Sequence, residues 1–109
     1  MATLNAYRID LDGGSPTFAA ADAAGDEFLN SGRTFLIVKN GGTAAINVTV
    51  NSQKPCNYGF DHDIVVSVAA GAEEWIGPFS RERFNDSNGK VQVSYSDVTS
   101  VTVAIVELP

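Results

Sequence analysis

The chain is poor in the side chains that carry most covalent and metal chemistry. Its 109 residues include one cysteine, Cys56, and one histidine, His62. A lone cysteine excludes an intramolecular disulfide, so nothing in the chain points to an oxidising compartment. Cys56 follows Pro55 with Lys54 close by, which could lower its pKa, but a buried structural thiol is the commoner outcome. Zinc catalysis usually requires about three converging protein ligands. Asp61-His62-Asp63 is the nearest cluster, yet in an extended segment the two carboxylates share one face and the imidazole takes the other. The segment therefore reads as a solvated approach to the next strand, with a small enzyme as the rival reading.

Other catalytic signatures are also missing. No Gly-x-Ser-x-Gly elbow occurs, and Gly13-Gly14 does not lead into a helix that could cradle phosphate. Asn85-Asp86-Ser87-Asn88-Gly89 lacks the alternating ligands and closing glutamate of a calcium loop and reads as a turn. No catalytic residue, metal or cofactor is expected.

Charge is sparse. Charged residues make up 18% of the chain, against about 25% in ordinary soluble domains, while 44% is hydrophobic. Seven basic residues face thirteen acidic ones, for a net charge of −6 and a pI near 4.4. Such a chain has no basic stripe for phosphates, so nucleic acid is not an expected partner. No apolar run reaches the length of a membrane span. Residues 1–8 lack the basic start and long apolar run of a secretory signal. The expectation is a protein made in the cytoplasm and not inserted in a membrane.

What the chain does have is period-2 alternation. Ile46, Val48 and Val50 alternate with Asn47, Thr49 and Asn51. Val91, Val93 and Tyr95 alternate with Gln92, Ser94 and Ser96, and Val101, Val103 and Ile105 with Thr102 and Ala104. Each segment thus has a core face and an outer face. The outer faces carry Asn, Thr, Gln and Ser instead of the Lys and Glu that keep exposed strands apart, which points to a surface that lies against a partner.

Further strands are expected at residues 7–11, 27–29, 33–40, 64–68 and 73–76. The run Phe35-Leu36-Ile37-Val38 is apolar on both faces, as in a central strand covered on both sides. Asn40-Gly41-Gly42 reads as a hairpin turn that pairs residues 33–40 with 45–52. Residues 19–24 read as a loop or single turn, and residues 80–89 as a polar loop. The expected fold is an all-β, antiparallel, jelly-roll-like sandwich of eight or nine short strands. It forms one domain over residues 1–109, with residues 1–30 partly loop or arm.

Aromatic residues near loops are the candidate contacts. Tyr58, Phe60 and Trp75 could stack on sugar rings or anchor a protein interface. Phe79 and Phe84 flank Arg81-Glu82-Arg83, and Phe28 and Arg33 lie in a second segment, residues 26–33, that mixes aromatic, arginine and turn residues. The alternative for these aromatics is to plug the ends of the sandwich.

Two stretches carry a family resemblance. The first is Gly25-Asp26-Glu27-Phe28-Leu29-Asn30-Ser31-Gly32-Arg33-Thr34-Phe35-Leu36-Ile37-Val38-Lys39-Asn40-Gly41-Gly42. The second runs from Val48-Thr49-Val50 through Gly59-Phe60-Asp61-His62-Asp63, Ile76-Gly77-Pro78-Phe79 and Arg83-Phe84-Asn85-Asp86 to Val93-Ser94-Tyr95-Ser96. From about Gly25 onward the chain resembles small tailed-bacteriophage virion proteins of the capsid decoration, or cement, type. The resemblance implies a structural protein on the outside of a phage head, made in the host cytoplasm. Its partners would be the major capsid protein and sister copies, often as a trimer. Rival readings are a carbohydrate-binding module and a head-fibre or head–tail component.

Overall fold

The computed structural model describes residues 2–53 and 63–108. Ten strands and one short helix follow in order: β1 (Ala2–Leu4), β2 (Ala6–Arg8), β3 (Ala19–Ala20), β4 (Asp26–Leu29), β5 (Thr34–Asn40), β6 (Ile46–Val50), β7 (Ile64–Val68), β8 (Glu73–Ile76), α1 (Arg81–Phe84), β9 (Lys90–Tyr95) and β10 (Val101–Glu107). They form two five-stranded sheets. Sheet A has the order β1-β4-β9-β6-β7, and sheet B the order β2-β10-β5-β8, with β3 also on β10. The molecule measures 38 × 36 × 20 Å. Its short axis is about what two face-to-face sheets need with their side chains, so the fold is a β-sandwich with two broad outer faces.

Alternation places the core as expected. Ile46, Val48, Val50, Val91, Val93, Val101, Val103 and Ile105 are all buried between the sheets, joined by Leu36 and Val38 of β5. β5 is central in sheet B, between β10 and β8. Its outward Ile37 is also buried, as are Ala104 and Val106 of β10. Residues 9–18 run over this face: Tyr7 Oη donates to Gly13 O at 3.4 Å, and the Lys39 ammonium lies 4.0 Å from the Phe18 ring centroid.

Three expectations change. Residues 33–40 and 45–52 do not form a hairpin: β5 pairs with β10 and β8, and β6 with β7 and β9. Asn40-Gly41-Gly42 is instead a corner between the sheets, and neither glycine adopts a positive φ. A Cβ on Gly41 would stand 3.1 Å from Ser100 O, so close approach sets the glycine there, not turn handedness. Second, the sheets are mixed. β1 lies parallel to β4 and β2 parallel to β10, because one N-terminal arm bends at Asn5 and closes the same side of both sheets. The strand expected at residues 7–11 therefore ends at Arg8. Third, residues 19–20 form a strand antiparallel to β10, and residues 81–84 form one helical turn.

Carboxylates brace the turns. The Ala24 backbone N–H holds Asp22 below the usual carboxylate range. The Lys90 backbone N–H does the same for Asp86, and the Thr99 backbone N–H for Asp97. A side-chain hydrogen bond from Gln92 lowers Glu27 from its ordinary 4.5. A carboxyl group whose folded pKa is depressed adds stability above its unfolded pKa, and that stability is lost as pH falls through the folded pKa. Thermal unfolding followed by circular dichroism should therefore show a Tm nearly level from pH 7 to about pH 5 and falling below about pH 4.

Candidate interaction surfaces

The outer face of sheet A is the first surface. Register sets Glu27 opposite Gln92, Thr49 opposite Ser94 and Val65, and Asn47 opposite Ser67. Along the described strands, its charges are gathered at one end, where Gln92 links the Glu27–Lys90 ion pair to Asp86. Glu27 Oε2 accepts from Lys90 Nζ at 3.1 Å and Thr3 Oγ1 at 2.9 Å. Gln92 Nε2 donates to Glu27 Oε1 at 3.1 Å and to Asp86 Oδ2 at 2.8 Å. Asp86 Oδ1 also accepts from the Asn88 and Lys90 backbone N–H groups, so this carboxylate closes its own turn. Beyond that cluster the face presents Asn47, Thr49, Ser67 and Ser94, all uncharged. Leu29 and Val65 stand 63% and 61% exposed on it.

The second surface is the adjoining end of the sandwich. Asn30, which is buried, donates through Nδ2 to Phe79 O at 3.0 Å and to Asn85 Oδ1 at 2.8 Å. Asn85 Nδ2 returns a bond to Asn30 O at 3.2 Å. These bonds join residues 26–33 to residues 77–86, the two segments expected to carry contacts. Arg33, Arg81 and Arg83 are exposed there, and Arg81 lies against Gly32, within 3.6 Å of where a Cβ would stand. Three of the seven basic residues are thereby gathered on one end of an acidic molecule.

Phe28, Phe79 and Phe84 are corrected as contact residues. All three are buried and form one aromatic cluster, with centroids 5.8 Å apart for Phe28–Phe79 and 5.7 Å for Phe79–Phe84. Burying three rings stabilises the end of the core and leaves none of them for a partner. Trp75 is exposed on the outer face of sheet B, opposite Ile37 of β5. Tyr58 and Phe60 lie outside the described residues, as do Cys56, Asp61 and His62.

A buried polar pair completes the inventory. Tyr95 Oη donates to Asp26 Oδ2 at 2.6 Å, and burial followed by this carboxylate pushes the phenol pKa up. Asp26 is buried, and its Oδ1 has no hydrogen-bond partner among the described residues. Among those residues no three His, Cys, Asp or Glu side chains converge as a metal set, and no helix is long and apolar enough to cross a membrane. The sequence could flag the uncharged outer face, but not the network that gathers its charges at one end. Compared with family models, with curated proteins and with solved structures, the chain matches none of them.

Proposed function

We propose that the chain is a non-catalytic virion protein of the capsid decoration type, lying on a phage head through the outer face of sheet A. The observation that carries this reading is the face itself: broad, exposed and, along its described strand residues, uncharged beyond the Glu27, Asp86 and Lys90 cluster at one end, with Leu29 and Val65 in the open. Polar side chains that carry no net charge lose less on desolvation than lysine or glutamate would. Repeated by symmetry, many modest contacts give strong attachment through avidity. The arginine-bearing end supplies complementarity to an acidic neighbour, whether shell or sister copy, and the sequence resemblance names the shell. A trimer on a three-fold axis is the arrangement that the resemblance favours. A protein that binds assembled shell more tightly than loose subunits stabilises the shell by mass action.

The test is sedimentation with empty heads assembled from the major capsid protein of the same phage. Saturable co-sedimentation is expected. Ser67→Arg with Ser94→Arg should weaken it at least about tenfold by placing unpaired charge in the contact, with the unfolding midpoint little changed. Charge reversal at Arg81 and Arg83 tests the second surface separately. Absence of binding by the unaltered protein, or full binding by the Ser67/Ser94 variant, overturns this assignment.

A further inference from the structure

Trp75 is the chain's only tryptophan and is 58% exposed, yet its ring is held in place. Nε1 donates to Glu73 Oε2 at 2.7 Å, and the ring lies against Phe35 with centroids 5.4 Å apart. A cleft of about 190 Å3 opens beside it, lined by Trp75 together with Tyr7, Ile9, Pro16 and Val106. Asp10 also lines it, and its carboxylate is in no ion pair among the described residues. β8 carries Trp75, β10 carries Val106 and β2 carries Tyr7, so the cleft spans sheet B under the segment that leaves β2.

We propose that this cleft is a binding site for an organic cation, either an alkylated ammonium or a guanidinium group. Three observations converge. Two aromatic side chains share the cleft, and a cation is attracted to an aromatic face by the ring quadrupole, most strongly for tryptophan. Asp10 supplies one counter-charge at the same place, in a molecule of net charge −6. The same sheet face already holds a cation this way: Lys39 Nζ sits 4.0 Å over the Phe18 ring and 3.7 Å from Glu73 Oε1. A sugar fits less well. Besides backbone groups, its hydroxyls would find only Asp10, the Tyr7 phenol, whose proton is given to Gly13 O, and the Trp75 indole N–H, which is given to Glu73, and unmatched polar groups weaken a site. The cleft lies on the opposite sheet from the face proposed to meet the capsid, so the two assignments fail independently.

Fluorescence of the full chain reports on the site directly, since Trp75 is the sole indole. The titrants are tetramethylammonium, choline and N-acetylarginine amide at constant ionic strength, with 3,3-dimethylbutanol as the neutral isostere of choline and N-acetylglucosamine as the sugar. Saturable change with the cations in the millimolar range is expected, with none from the two neutral compounds. Asp10→Asn should weaken the cations up to about fivefold, the loss expected when one exposed ion pair is removed, with its unfolding midpoint unchanged. Preference for choline assigns the site to a free or lipid-like headgroup, and preference for the arginine amide to a side chain on a partner. Silence with every cation, an equal response to the neutral alcohol, binding of the sugar alone, or an unaffected Asp10→Asn variant overturns the inference.

Discussion

Phe28→Ala is expected to lower the folding free energy by about 4 kcal/mol, measured by urea denaturation. Phe28 is 0% exposed, at the centre of β4, and its ring meets Phe79, which in turn meets Phe84. Truncation removes the ring's transfer free energy and leaves a cavity that two neighbouring aromatics cannot fill without leaving their own contacts. Phe28→Leu keeps most of the volume and should cost about 1–2 kcal/mol. A double-mutant cycle with Phe79→Leu should give a coupling of about 1 kcal/mol, the share that belongs to the ring pair. A contact residue on the surface would behave otherwise. Its truncation would change stability by less than about 0.5 kcal/mol and act on partner binding alone.

That contrast shows where the sequence is legible and where it is not. Strands with one apolar face announce themselves, because the pleat alternates and the core is on one side only. Hence Ile46, Val48 and Val50 of β6, and Val91 and Val93 of β9, are where alternation puts them. The β5 run, apolar on both faces, reads correctly as a covered central strand. Phe79 and Phe84 obey no local period: Phe79 precedes one helical turn and Phe84 ends it, and the return of residues 77–86 onto Asn30 packs them at the end of the core. The arm is illegible for a similar reason. Ala2–Leu4 and Ala6–Arg8 gain their strand character from β4 and β10, partners more than twenty residues away that no short window contains. The Trp75 cleft combines both cases, since its walls come from β2, β8 and the loop around Pro16. Exposed aromatics are easy to find in a sequence; the concavity that gives one a role is a tertiary property.

The corner at Asn40 carries the other large effect. Asn40→Ala should destabilise the protein by about 3 kcal/mol, although a sequence reading makes this residue an ordinary turn former. Asn40 is 2% exposed. Its Nδ2 donates to Ala44 O at 2.9 Å and to Val68 O at 3.0 Å, and its Oδ1 accepts from the Gly42 backbone N–H at 3.0 Å. The backbone is also engaged: its N–H donates to Ala72 O, and its C=O accepts from the Gly71 N–H. One residue at the end of β5 in sheet B thus grips the end of β7 in sheet A and the turn that leads into β8. Alanine removes three hydrogen bonds, each worth about 1 kcal/mol net, and strips a partner from a buried carbonyl. Asn40→Asp separates the geometric role from the polar one. It keeps the acceptor for Gly42 but turns a carboxylate toward two carbonyl oxygens, which raises its folded pKa. A group with a raised folded pKa destabilises most when both states are ionised, and the penalty shrinks as pH falls through that pKa. The gap between Asn40→Asp and the unaltered chain should therefore narrow between pH 7 and pH 5, while the gap for Asn40→Ala stays constant. Parallel behaviour of the two variants would mean that the side chain only fills space, and that the sheets are joined at this corner by the backbone alone.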